Sequence, residues 1–248
     1  MPSSKNDSVP RGRRAVVIGG TRTPFVKAFS ELLELDTIAL GVAAVRGLLE
    51  QYPVPRDEID AIVWGGVILP SQAPNTGREI ALDLKLNPAV EAMTVTRACA
   101  SGLQAITLAA ASIERGEADV VIAGGSDSTS NAEVKLPQKV VHAAAPLVFG
   151  KRTAGDILGA LGQLFPISEV LPKMPKIAER TTGLVMGEAA EEMARRNEIS
   201  RAAQDEFAVR SHHRAALAID AGRFAKEIVA VEAGQNGKSR RVTRDTLV

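Results

Sequence analysis

Apolar positions along the chain follow two rhythms, short unbroken runs and wider spacing at three and four residues. "RRAVVIGG" (13–20) is a short apolar run closed by glycines and predicts a buried strand. Ile38, Val42, Val45 and Leu49 then recur at helical spacing, and Asp36 stands where an N-cap belongs. "PVPRDEID" reads as a turn and "AIVWGGVIL" as a second buried strand. "SQAPNTGREIALDLKL" predicts a loop and a helix, and "AMTVTR" a third strand. "CASGLQAITLAAASIERG" predicts a helix of small and apolar residues, expected to be buried on most sides, with Gly116 at its C′ position. "ADVVIAGGSDS" is the fourth strand. This β-α-β-α-β-α-β order with short links predicts an α/β sheet covered by helices on both faces.

The rhythm changes near 130. Residues 132–176 show no strand alternation and read as a helical or irregular excursion. Two clearer helices follow, over "EAAEEMARRN" and over "SRAAQDEFAVRSHHRAALAIDAG", the second with Ser200 as N-cap and Gly222 as stop. The last stretch, "EIVAVEAGQNGKSRRVTRDTLV", predicts a hairpin turning at "QNGK". No second copy of the β-α series appears. The expected organisation is a disordered tail over 1–13, an α/β core over 14–129, and a mainly helical region over 130–248.

Composition narrows the function. With 248 residues, 45% hydrophobic and 24% charged, the chain is globular in make-up. A net charge of +1 and only 3% aromatic residues argue against a nucleic-acid partner. One cysteine excludes an intrachain disulfide framework and suits a reducing cytosol, so a cytoplasmic location is expected. No metal site is expected. The polar, basic start lacks the apolar stretch of a signal peptide, and no run reaches the length of a membrane span. Gly19-Gly20 lack the spacing of a dinucleotide-binding turn, and Pro24 follows where its helix would open.

The one cysteine, Cys99, lies between the third strand and the helix after it. A thiol at a helix start meets unpaired amides and the positive end of the macrodipole. Both favour the thiolate, and the same amides can bind an oxyanion formed when sulfur attacks a carbonyl. Ala98, Ala100, Ser101 and Gly102 leave room for a substrate. The pattern therefore fits covalent acyl catalysis. The other use of a free cysteine, as a small buried hydrophobe, stays open at this point.

"TVTRACASGLQAI" closely resembles the nucleophile segment of thiolases. Further stretches resemble that family in the same order: "TRTPF", "WGGVILPSQAPNTGREIAL", "VVIAGGSDSTS" and "ERTTGLVMGEAAEEMARRNEISRAAQDEFAVRSHHRA". With the long region before it, the last stretch is similar to the thiolase subunit of fatty-acid β-oxidation complexes. The resemblance implies two similar α/β halves with an inserted loop domain, here a mixed sheet covered by helices. It also implies acyl transfer between a 3-oxoacyl-CoA and CoA, with CoA as substrate and no resident cofactor. Cys99 matches the nucleophile, its N–H one oxyanion donor, and Met186 in "LVMGEAAE" a methionine near the bound thioester. A methionine at a helix start serves packing equally well. The family's later groups, a histidine in Gly-His-Pro, an asparagine in Asn-Glu-Ala-Phe and a second cysteine, have no match among these residues. An N-terminal portion of a thiolase, inactive alone, is therefore expected. A β-ketoacyl synthase-like condensing enzyme or a non-catalytic acyl-CoA-binding scaffold are the rival readings. The resemblance further implies a homo-oligomer and a hydratase/dehydrogenase partner subunit. Ile157, Leu158, Leu161, Leu164 and Phe165 share one helix face, so 155–165 is a candidate membrane-surface or partner contact.

Overall fold

The computed structural model describes residues 12–134, 136–149, 153–164, 166, 170, 178–235 and 238–247. The chain divides into two compact units, Met1–Ala132 with His212–Val248, and Glu133–Ser211. The change of rhythm near 130 thus falls close to a unit boundary, while 212–248 groups with the first unit. Of the stretch 1–13, residues 1–11 lie outside the described residues. Arg13 is held by Asp119 and by the carbonyl of Ala118.

In the first unit α1 (Thr37–Gln51) precedes β1 (Ala61–Gly65), α2 (Thr76–Asp83), β2 (Glu91–Val95), α3 (Ser101–Glu114) and β3 (Val121–Gly125). Asp36 caps α1 as its sequence suggests, its carboxylate accepting from the Ala39 amide at 2.7 Å. The three strands form a parallel sheet in the order β2-β1-β3, with Ile62 level with Ala92 on one side and Ile122 on the other. β1 is central and reads as a continuous apolar run because both its faces are covered. Ile62 and Trp64 pack with Val42 and Val45 of α1 and Ile80 of α2. Val63 points the other way, onto Ala105 and Ala109 of α3. The expected helices on both faces are therefore present. The antiparallel pairing sits apart from this sheet, in the hairpin β4 (Val231–Gln235) and β5 (Lys238–Val242), closed by the pair Gln235↔Lys238. Its turn residues 236–237 lie outside the described residues.

Two expectations are corrected. Residues 13–20 do not form a strand of the sheet: they carry no strand assignment, and Val16, Val17 and Ile18 are 77%, 85% and 69% exposed. A cavity of about 430 Å³ separates 15–20 from Val120–Ala123. It is lined on one side by Leu48, Leu49 and Tyr52, and on the other by Ile106, Ala109 and Ala110. The apolar run is real, but among the described residues it has no backbone partner that would make it a strand. The other correction concerns α3. Only Ser101, Ala105 and Ala109, four residues apart, are buried, while Leu103 and Ile106 are exposed. A single helical stripe meets the sheet, and small residues there bring the helix close to the strands. Gly116 ends α3 at φ +76°, with the Glu117 amide reaching Ser112 and the Gly116 amide reaching Ile113, a Schellman turn.

In the second unit α4 (Gln138–Phe149) and α5 (Ala154–Gln163) pack together, with Ala143 and Ala160 buried. α6 (Met186–Arg196) follows, and α7 (Arg201–Asp220) runs from this unit into the first. Ser200 caps α7 through the Ala203 amide at 3.2 Å, and Gly222 ends it at φ +66°. Among the described residues no helix is long and apolar enough to cross a membrane.

Candidate active site

The carboxyl ends of β1, β2 and β3 lie side by side at Gly65, Val95 and Gly125. That edge of a parallel sheet is where ligands bind in open α/β folds. Cys99 leaves β2 at this edge and is exposed. It is not in α3 itself. The helix starts at Ser101, its N-cap is Ala100, and Cys99 stands one residue earlier.

The turn that carries Cys99 is tightly tied. The Ala100 amide donates to the Arg97 carbonyl at 3.0 Å, and the Ser101 amide to the Ala98 carbonyl at 3.2 Å. Ala98 has φ +47°, left-handed backbone that an alanine rarely adopts. The Ser101 hydroxyl accepts from the Arg97 amide at 2.8 Å and donates to the Ala98 carbonyl at 2.7 Å. The Arg97 guanidinium is turned onto Gln104 Oε1 at 2.6 Å. No side chain caps the N-terminus of α3. Most helices use a Ser, Thr, Asp or Asn there to occupy the first amides. Here Ala100 takes that place, and Ser101 spends its hydroxyl on the preceding turn.

The helix mouth rests on glycine. A Cβ on Gly65 would stand 2.5 Å from the Ser101 carbonyl carbon and 2.7 Å from the Gly102 nitrogen. One on Gly125 would stand 2.7 Å from the Gly65 carbonyl oxygen. Beyond Gly65 the chain is pinned by Asp127, whose Oδ1 accepts from the Val67 amide at 2.9 Å and the Ile68 amide at 2.6 Å. Ser101 stands in the sequence only as a small neighbour of Cys99, while the close approach of Gly65 to α3 and the hold of Asp127 on residues 67–68 are not foreseen there. The Asp follows a strand end and the glycines end two strands, which is the only local hint.

Met186 lies in the other unit, at the first position of α6, and is half-exposed. It is not a buried core residue. Glu188 reaches back to the Val185 amide at 2.9 Å and so closes the turn that presents it. The three histidines are all exposed, His142 on α4 and His212 and His213 on α7. On α5, Ile157 and Leu158 are exposed, while Leu164, just past the end of the helix, is half-buried; the Leu161 side chain and Phe165 lie outside the described residues.

The family Thiolase, N-terminal domain matches residues 15–248. The chain belongs to the thiolase family. It is 37% identical over 222 residues to a 3-ketoacyl-CoA thiolase of Colwellia psychrerythraea, covering 90% of this chain and 51% of that protein. Identity to the 3-ketoacyl-CoA thiolase of Shewanella pealeana is 38% over 219 residues, 88% of this chain and 50% of the relative. The thiolase chain thus spans about half the length of the curated relatives it matches. Among solved structures, the acetyl-CoA acetyltransferase of Bacillus anthracis superposes with a TM-score of 0.78 at 26% identity, covering 95% of this chain and 55% of that one.

Proposed function

We propose that the whole thiolase to which this chain corresponds transfers acyl groups between a 3-oxoacyl-CoA and CoA through a thioester on Cys99. The Cys99 thiolate attacks the 3-keto carbon, and the carbonyl electron pair moves onto oxygen. As the carbonyl re-forms, the C2–C3 bond breaks. Its electrons pass to C2 of the departing enolate, which takes a proton and leaves as acetyl-CoA. The thiolate of a second CoA then attacks the thioester, releasing the shortened acyl-CoA and the Cys99 thiolate. The reverse sequence is the condensation.

The observation that carries this reading is the exposed Cys99 beside an N-terminus of α3 that no side chain caps. Amides left without a side-chain acceptor are available to the alkoxide that forms at the attacked carbon. The Cys99 amide is our candidate for one oxyanion donor, and Met186, on the resemblance to thiolases, for a contact to the bound thioester. The exposed Leu158 on α5 supports a partner-subunit or membrane-surface contact through 155–165. A homo-oligomer in the cytoplasm completes the reading.

The test is acylation of the full-length protein. Incubated with a 3-oxoacyl-CoA and no free CoA, it should retain the acyl group on Cys99, mapped by peptide mass spectrometry. Acyl label on another residue, or normal turnover in Cys99→Ser, overturns the proposal.

A further inference from the structure

We infer that Ser101 is a positioning residue for Cys99: its hydroxyl clasps the turn that aims the thiol and keeps the helix mouth free for substrate. The reaction it serves is the acyl transfer proposed above, but the geometry stands on its own. Ser101 is 4% exposed, the first residue of α3, two positions after the cysteine. Its Oγ holds both residues that precede Cys99, accepting from Arg97 N–H and donating to Ala98 C=O. Those two residues set the direction in which the chain enters Cys99. Ala98 sits at φ +47°, a conformation unfavourable for any residue with a Cβ. Such a conformation persists only where neighbouring bonds over-determine it. Two bonds fix the Ala98 carbonyl, one from the Ser101 amide and one from the Ser101 hydroxyl.

The clasp has another consequence. A serine at the N-cap position folds its oxygen onto the helix's own first amides, but Ser101 stands one residue inside, after Ala100. Here the single hydroxyl proton and an oxygen lone pair are engaged with the turn instead. The hydroxyl therefore stabilises the strained turn without competing for the amides an oxyanion would use. On the opposite side Ser101 is backed by Gly65, whose missing side chain lets its backbone come that close. Ser101 is thus fixed from both sides, and it passes that fixity to Cys99.

The test compares Ser101→Thr with Ser101→Val, which share a shape and differ by the hydroxyl, beside Ser101→Ala. Ala105→Gly, which weakens α3 away from the turn, serves as a stability control. Cys99 alkylation by iodoacetamide is read on this chain, and kcat and KM on the full-length protein. Ser101→Val and Ser101→Ala should alkylate at least about fivefold more slowly than the parent and lose about 10–100-fold in kcat with KM little changed, the scale of a small misplacement of a reacting group. Ser101→Thr should stay close to the parent. Ala105→Gly should lower Tm without slowing alkylation. If Ser101→Ala does not fold, the Thr–Val comparison decides. Equal alkylation rates for Thr and Val, or an equal slowing in Ala105→Gly, overturn the clasp. Normal turnover in Cys99→Ser would overturn only the reaction.

Discussion

Arg22 grips Asp245 through two parallel hydrogen bonds, Nη1 to Oδ1 at 2.7 Å and Nη2 to Oδ2 at 2.9 Å, across 223 positions of sequence. The same guanidinium donates to Glu227 at 2.7 Å and lies over the rings of Phe25 and Phe224, 4.9 and 5.2 Å from their centroids. The Asp245 carboxylate is 7% exposed. The "TRTPF" segment is thereby fastened to the chain after α7.

Asp245 should make stability depend on acid. Its hydrogen bonds from Arg22 hold its pKa below the usual carboxylate value against the opposing effect of burial, and Arg22 is raised by the same pair. A depressed folded-state pKa stabilises above the unfolded value of about 3.9 and loses that contribution as pH falls through the folded value. Arg22 stays charged throughout. Asp245→Asn should therefore destabilise near neutral pH by about 1.5–3 kcal/mol, the usual worth of a hydrogen bond to a charged group. The difference from the parent should shrink below about pH 4. Urea melts of both proteins across pH 3 to 7 measure it, and a constant difference over that range would show that the pair contributes no pH dependence.

Gly65→Ala tests the floor of the site. The new methyl would stand 2.5 Å from the Ser101 carbonyl carbon, which is backbone and cannot rotate away. Either β1 or α3 must shift. The expected loss is about 1–3 kcal/mol, typical of overpacking, with slower alkylation of Cys99. A melt unchanged from the parent would mean that α3 moves freely, and the description of a fixed helix mouth would be wrong.

The sequence announced what depends on local rules. α1 was legible because Asp36 supplies a cap and Val42 and Val45 fall on the buried face, with Ile38 and Leu49 packed against it. β1 was legible as an apolar run long enough for a strand and too short for a helix. The position of Cys99 between β2 and α3 was legible too, though the helix begins two residues later. What stayed hidden depends on contacts between distant segments. The periodicity of 13–20 says that the run is apolar, not whether a neighbouring backbone is there to pair with it. Nothing local in α3 tells which stripe meets the sheet. The left-handed Ala98, the close approach of Gly65 and the Arg22–Asp245 pair arise only once the strands are stacked.

The exposed run Val16–Val17–Ile18 predicts a difference in backbone protection. Ile62, 0% exposed on the central strand, has partners on both sides. Residues 16–18 have none among the described residues, and a cavity lies between them and β3. In hydrogen exchange, the amides of 62–64 should be the slowest of the first unit, and those of 16–18 should exchange nearly as fast as an unstructured chain. Val17→Ser should change stability by less than about 0.5 kcal/mol, as for other exposed sites, while reducing self-association through the apolar patch. Strong protection at 16–18 in the monomer would show that this run closes onto β3 by itself.

The 248-residue thiolase chain alone should react at Cys99 yet turn over no substrate. The proposed cycle needs two proton transfers, one to C2 of the departing enolate and one from the incoming CoA thiol. The chain's one cysteine is the proposed nucleophile and, in that role, cannot also be the base. Its three histidines stand exposed on α4 and α7, as solvated helix positions. The turn at Cys99 offers only Arg97, already held by Gln104, and the hydroxyl of Ser101, already shared between two backbone groups. A missing general acid or base slows such a step by about 10²–10⁴-fold, and two such losses act on one cycle, though their effects do not strictly add. The turn that carries Cys99, by contrast, is held by residues of this chain, Arg97, Ala98, Ser101 and Gln104, with Gly65 against the first turn of α3. A coupled assay for CoA consumption on the pure chain, run beside iodoacetamide labelling, separates the two. Labelling at Cys99 with turnover at background is the expected result. Turnover within about tenfold of an ordinary thiolase, a gap too small for a missing general base, would mean that residues of this chain move both protons, and the division of roles proposed here would have to be redrawn.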